Sequence, residues 1–332
     1  MSRGRSLRLL GLGMGVLVLI GCLLISVILG AADIDLGIVW RSLTAFDGST
    51  SHLIITTVRL PRVLITVAVG AALAVAGALM QGLTRNALAE PGILGISAGA
   101  ALAVVVATFL FGMLPIQIYT WVAFAGGAIA AAVTYTLGSV GRSGMTPLKL
   151  ILAGAVLTYL LSALTTGILI LNQRTLDEIR FWLAGSVAGR DLNVLLQVLP
   201  YIVIGLIVAF SLGKQITALT LGEEVAQGLG LKTGWVKAIA SLVVILLAGS
   251  AVALAGPIGF IGLVIPHMVR FWVGADYRWI LPYAAVWGAI LLSIADLAAR
   301  LIIKPQELPV GIMMALVGAP FFIYLARSKV KQ

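Results

Sequence analysis

The chain has 332 residues, of which 61% are apolar and 10% charged, with a mean hydropathy of +1.14. That balance excludes a water-soluble domain, where about 25% of residues are charged, and equally a disordered or fibrous chain. Lys and Arg outnumber Asp and Glu by 22 to 12, a formal charge of +10; in so apolar a chain the bases report sidedness in a membrane rather than a nucleic-acid surface. A membrane-crossing helix needs about 20 mostly apolar residues, and this pattern occurs ten times, at roughly 9–32, 62–83, 93–111, 116–140, 148–171, 194–212, 235–256, 258–273, 281–303 and 308–326. The first segment follows Arg3, Arg5 and Arg8 and is longer than the 7–15 residues of a signal-peptide core, so it reads as an uncleaved anchor. The single cysteine, Cys22, lies in this run and reads as a small packing residue. Segment 258–273 follows Gly256-Pro257 with almost no loop. That is the pattern of a broken helix, whose freed backbone groups protein or water must satisfy.

Ten spans place both termini on one side. Fourteen of the 22 bases then fall on that side, in the N-terminus, around Arg85, at Arg142 and Lys149, from Lys214 to Lys237, at Arg270 and Arg278, and in the C-terminus with Lys331. Eight fall on the other: Arg41, Arg59, Arg62, Arg174, Arg180, Arg190, Arg300 and Lys304. Acids divide the opposite way, with Glu90, Glu223, Glu224 and Asp276 inside and Asp33, Asp35, Asp47, Asp177, Glu178, Asp191 and Glu307 outside. The bias predicts an all-α, multi-pass membrane protein with both termini cytoplasmic. No Gly/Ser/Pro linker interrupts it, so residues 1–332 read as one transmembrane domain with a polar insert at about 213–234.

The chain holds no G-x-x-x-x-G-K-[ST] string, so it builds no phosphate-cradling loop of its own. His52 and His267 are far apart, with no Cys or carboxylate at ligand spacing. No metal, cofactor or catalytic residue is expected, and an intramembrane enzyme lacks its nucleophile and base. His267 reads as packing or helix capping.

Four features carry chemistry. Arg59-Leu60-Pro61-Arg62 opens the second span on the outer side, with Pro61 suited to a first helical turn. Two cations there oppose the helix dipole, so something must compensate; they either snorkel beside headgroups or offer a fork to an external carboxylate. Asp296 lies within an apolar run four residues before Arg300, a spacing that pairs them on one helical face. Arg300 serves either that pair or the docking rim. In the insert, Glu223 and Glu224 favour a helix start and Gly228 and Gly230 a stop. The insert is either an ordinary surface helix or a coupling element for a separate ATPase. The inner string Thr84–Gly92 reads only as a tight turn broken by Pro91 and Gly92.

Taken in order, these strings resemble the iron-siderophore/cobalamin (FecCD-type) permease family of bacterial ABC importers. The resemblance rests on Arg59–Arg62, on Asn86-Ala87-Leu88-Ala89-Glu90-Pro91-Gly92-Ile93-Leu94-Gly95 and on the Gly222–Leu231 insert. Further matches are Gly259-Phe260-Ile261-Gly262-Leu263-Val264-Ile265-Pro266-His267, Ala295-Asp296 with Ala299-Arg300-Leu301, Glu307-Leu308-Pro309 and Gly318-Ala319-Pro320-Phe321. It implies a cobalamin-permease-like fold of ten helices in the bacterial inner membrane. It also implies a second permease subunit, identical or related, two cytoplasmic ATPase subunits, and an extracytoplasmic substrate-binding protein. Carried over residue by residue, it assigns Arg59, Arg62 and Arg300 to docking of the binding protein. Leu221, Gly222, Glu223, Glu224, Ala226, Gly228, Leu229 and Gly230 go to ATPase coupling, and Asn86 and Leu88 to the cytoplasmic gate. A second gate segment falls at Thr146–Leu148, where this chain has Thr-Pro-Leu, and Ala87 stands where members commonly carry Pro.

The function implied is ATP-driven import of a bulky metal chelate, a ferric siderophore first and haem or cobalamin as alternatives. A rival of another class is an ion-coupled secondary transporter. That mechanism usually keeps an ionisable cluster near the midplane, and only Asp296 with Arg300 approaches one here.

Overall fold

The protein is described by a computed structural model covering residues 2–30, 34–140, 146–303 and 306–329. Asp33, Arg142, Lys304 and Lys331, counted above, lie outside the described residues, as do the side chains of Arg3 and Lys329. Among the described residues the chain is helical throughout, without strands. The helices are α1 (Ser2–Ile28), α2 (Leu36–Thr44), α3 (Thr50–Leu53), α4 (Leu60–Thr84), α5 (Ile96–Phe111), α6 (Ile116–Ser139), α7 (Pro147–Leu171) and α8 (Gln173–Leu183). They continue with α9 (Leu192–Ser211), α10 (Gly213–Thr220), α11 (Glu223–Gly228), α12 (Thr233–Ala255), α13 (Ile261–Val273), α14 (Tyr277–Leu301) and α15 (Val310–Lys329). Seven stretches are long and apolar enough to cross a membrane. Three shorter apolar helices, Ile96–Phe111, Ile261–Val273 and Val310–Ile323, complete the ten predicted segments in order.

The bundle is built around α4, whose most apolar window is 89% buried and which packs on α14, α12 and α13. Small residues let the backbones approach, as membrane helices require in place of a hydrophobic driving force. A Cβ on Gly70 would strike the Gly288 backbone, and one on Gly77 the Gly262 backbone. The first helix, α1, is only 17% buried in its apolar window and lies along the outside of α14. The two run parallel: Tyr283 Oη donates to Arg8 O at 2.6 Å near one end, and Arg300 reaches Ser26 near the other. The end where α1 begins is called inner here, after its excess of bases.

One local expectation changes. Pro61 does not open a helix: the helix is continuous from Thr50, with a π-helical segment over Ile54–Arg59 just before the proline. A widened turn relieves the clash that a mid-helix proline makes with the preceding turn. The expected break after α12 is real. Gly256 (φ 72°) and Phe260 (φ 70°) turn the chain in the left-handed region before α13, and protein groups take up the freed backbone. Ser186 N donates to Ala255 O (2.7 Å), and Phe260 N donates to a Glu90 carboxylate oxygen (3.3 Å).

Candidate functional site

At the outer end, α1 finishes, α4 begins and α14 finishes together. Arg59 Nη1 donates to Val27 O (2.6 Å) and Ile28 O (2.7 Å). Arg300 Nη1 donates to Ser26 O (3.1 Å) and Leu29 O (3.2 Å), and its Nη2 to Ser26 Oγ. Apart from the Ser26 hydroxyl, these oxygens are carbonyls at or just past the C-terminus of α1, the negative end of its dipole. Arg59, which lies inside the helix that runs on from Thr50 rather than at its start, thus finds its compensation at a neighbouring helix end. Gly30 leaves the room, since a Cβ there would lie 2.9 Å from Arg59 Nη2.

Arg62 points the other way. Its Nε and Nη2 fork onto Asp296 at 2.9–3.1 Å, and Nη1 donates to Glu307 Oε2 at 2.6 Å. Asp296 also pairs with Arg300 Nε at 3.2 Å, four residues on, as the spacing predicted. The expectation of an exposed arginine rim needs correction: Arg59, Arg62 and Arg300 are 6%, 7% and 4% exposed. Their partners are this chain's own carbonyls and carboxylates, so none stands as a free fork. Among the described residues the cluster gathers three arginines and two carboxylates.

Midway down the bundle, two interrupted segments meet. Arg85 ends α4 in the left-handed region (φ 49°). Asn86 then closes a turn, its Oδ1 accepting from Leu88 N (3.0 Å) and its carbonyl from Ala89 N (3.1 Å). Both predicted gate residues, Asn86 and Leu88, are half-buried in that turn. The chain next climbs back into the bundle instead of staying at the surface. Glu90 accepts from Phe260 N, and Thr134 Oγ1 donates to Leu94 O (3.0 Å). Gly262 packs against Leu73 and Gly77 of α4. This puts the Glu90–Phe260 contact about 8–12 residues from the Arg85 end, roughly 12–18 Å at 1.5 Å per residue. The inner-loop placement expected for Glu90 is thereby corrected. Ionisable groups at such depth are costly and lie where irregular backbone is enclosed by protein. The sequence signal was present, an acid beside Pro91 and Gly92, but it gave no depth. Nearby, Gln81 Oε1 accepts from Arg270 Nη1 (2.6 Å), and Arg270 Nη2 donates to Tyr277 Oη (2.9 Å). That polar chain joins α4, α13 and α14 and was not foreseen.

Thr146 of the proposed second gate segment caps α7, its Oγ1 accepting from Lys149 N (3.3 Å), while Leu148 is exposed and the Pro147 side chain lies outside the described residues. His267 stacks edge-on to Phe271 (5.2 Å) and Phe321 (6.0 Å), an aromatic packing role.

At the inner end the insert forms two short helices, α10 and α11. Gly222 adopts φ 123° at the turn between them. Ala226 is buried, whereas Leu221, Glu224, Val225, Gly228, Leu229 and Gly230 are exposed. Glu223 Oε1 ties α11 to α12, accepting from Lys237 Nζ (2.7 Å) and Thr233 Oγ1 (3.2 Å). The Lys237 hydrogen bond holds the Glu223 carboxyl below the usual carboxylate range, and Arg85 adds a smaller share. Arg85 thus relates the insert electrostatically to the turn that starts the gate loop.

The model of the FecCD transport family matches residues 17–328. The chain is 50% identical over 316 residues, 95% of each chain, to Bacillus subtilis (strain 168) YfiZ, described as a siderophore transport system permease protein. It is 47% identical over 307 residues to the iron(3+)-hydroxamate import system permease FhuB of the same organism, covering 92% of this chain and 79% of FhuB. The hemin transport system permease HmuU of Yersinia pestis is 39% identical, with 97% and 96% covered. Among solved structures, an inward-facing ABC transporter described as of the metal-chelate type superposes with TM-score 0.84 at 30% identity, covering 96% of this chain and 98% of that one.

Proposed function

The chain belongs to the FecCD transport family of ABC importer permeases, and we propose that it forms the membrane half of a ferric-siderophore importer. Two permease subunits pair in the bacterial inner membrane with both termini cytoplasmic. Two separate ATPase subunits bind beneath Leu221–Leu231, and an extracytoplasmic binding protein delivers the chelate. The observation that carries this reading is the set of exposed apolar side chains on and beside α11. Leu221, Val225 and Leu229 project into solvent on a polar insert, while Glu223 and Lys237 fix that insert to the membrane helix α12. An exposed apolar strip so anchored suits a protein partner that pushes on it.

ATP binding in the partners moves α11. The motion passes by Glu223 and Arg85 to the Asn86–Leu88 turn, and by Glu90 to the Phe260 turn that starts α13. Coupling is thus assigned to Leu221, Gly222, Glu223, Glu224, Ala226, Gly228, Leu229 and Gly230, and the inner gate to Asn86 and Leu88. Docking by Arg59, Arg62 and Arg300 requires an incoming carboxylate to displace an internal carbonyl or carboxylate. Glu307, whose side chain is 37% exposed, is the displaceable partner of Arg62; Asp296, at 2%, is not.

The test is uptake in proteoliposomes by the full complex. Val225→Asp with Leu229→Asp is expected to cut ATP-dependent uptake of a ferric hydroxamate at least tenfold, with the permease still folded. Unchanged uptake refutes the coupling role. Uptake that persists without ATP and collapses with an uncoupler favours an ion-coupled carrier. The ferric-siderophore assignment rests on the names borne by YfiZ and FhuB; tight binding of haem or cobalamin by the partner binding protein, with no ferric chelate bound, replaces it.

A further inference from the structure

Outside the arginine cluster, one outer-end cavity of about 220 Å³ lies between the α8–α9 connection and the segment leading to α15, lined by Trp182, Ser186, Arg190, Glu307 and Pro309 among others. Arg190 and Trp182 are each only 8% exposed. Among the described residues, neither Arg190 Nε nor Trp182 Nε1 has an acceptor. Buried donors are nearly always satisfied, and a buried cation is nearly always paired. Both residues line the one cavity and each keeps a buried donor unused, one of them on a charged group, so the site is incomplete as it stands.

The neighbouring acids are committed elsewhere. Glu307 lines the cavity, but its Oε2 accepts from Arg62 Nη1 at 2.6 Å. Asp191 turns into α9, accepting from Val194 N at 2.9 Å. Consistently, burial alone pushes the Arg190 guanidinium down to about 10, with no opposite charge raising it again. The missing partner must accept hydrogen bonds and carry negative charge. A carboxylate does both, since its two oxygens match the guanidinium fork and leave a lone pair for an indole N–H.

We propose that the Arg190–Trp182 cavity is a carboxylate-binding pocket that receives an acidic side chain of the docked extracytoplasmic protein. It rests on the importer reading above and adds a contact the sequence motifs do not contain. Glu307 lines the same pocket, so an acid bound in it also lies next to the Arg62 partner that docking is proposed to displace. The free protein carries an unpaired buried charge that docking neutralises.

Removal of that charge should then act in opposite directions on stability and on docking. In the permease–ATPase complex in nanodiscs, Arg190→Gln is expected to raise the Tm of the undocked protein. The same variant should weaken binding of the substrate-binding protein roughly thirtyfold or more, as truncation of a desolvated charge contact does. Arg190→Lys should dock better than Arg190→Gln, and Trp182→Phe should weaken docking several-fold. Unchanged docking by Arg190→Gln overturns the pocket while wild-type docking and stimulated ATP hydrolysis leave the importer reading intact. A lowered Tm in Arg190→Gln means an internal partner and also overturns it. Acetate alone raising the wild-type Tm, with docking of Arg190→Gln unchanged, makes the occupant a free carboxylate and overturns the protein contact. If no binding protein docks on the wild type, both readings fall.

Discussion

Asp296→Asn tests the outer cluster most sharply, because it preserves shape and removes charge. Asp296 accepts three N–H···O bonds from Arg62 and pairs with Arg300 at 3.2 Å. The three side chains are 2%, 8% and 4% exposed, so water cannot replace what is lost. In the asparagine variant one carboxylate oxygen becomes an NH2 donor facing arginine donors, and the cluster loses one negative charge. Breaking a buried pair by removing one partner costs about 3–5 kcal/mol, mostly from the stranded charge. Glu307→Gln removes the charge from a single 2.6 Å contact of a side chain that is 37% exposed, and nearer to 1 kcal/mol is expected. Equilibrium unfolding of the purified permease in mixed micelles, read by tryptophan fluorescence, measures both. Pairing Asp296→Leu with Arg62→Met restores the original balance and should recover part of the loss, a coupling of about 1–3 kcal/mol between touching residues. If Asp296→Asn costs no more than Glu307→Gln, or the double variant recovers nothing, the cluster is not an integral buried network.

Two further outcomes follow from packing and titration. Gly77→Ala places a Cβ against the Gly262 backbone, which has no flexible end to move. It should destabilise the protein by about 1–3 kcal/mol, whereas Gly21→Ala, with nothing within 4 Å, should leave the same unfolding curve unchanged. Glu223 has its carboxyl held below the ordinary 4.5, first by the Lys237 hydrogen bond. Its contribution is complete above that ordinary value and fades as pH falls through the lower folded one. Hydrogen exchange in α11 should therefore accelerate selectively below about pH 4.5, and Lys237→Gln should abolish that pH dependence; acceleration that persists in Lys237→Gln rules out this tie.

By itself the sequence determined the ten apolar segments, the break at Gly256-Pro257, the polar insert with its helix signals, and the Asp296–Arg300 pair. These are local quantities, for the length of an apolar run sets whether it can cross hydrocarbon, and a spacing of four sets who shares a helical face. Tertiary structure decided what the arginines touch. Arg62 finds Asp296 across 234 positions and Glu307 across 245, while Arg59 and Arg300 end on carbonyls of α1, which residue type cannot announce. It decided the depth of Glu90 as well, since an acid beside a proline reads as a surface turn until the chain is seen to climb back toward Phe260. It left Arg190 buried beside committed acids. The hydrophobic term that builds the bundle is non-directional and scales with area, so composition carries it. Hydrogen bonds and ion pairs require atoms within about 3 Å at defined angles, and only the folded chain settles which distant groups meet.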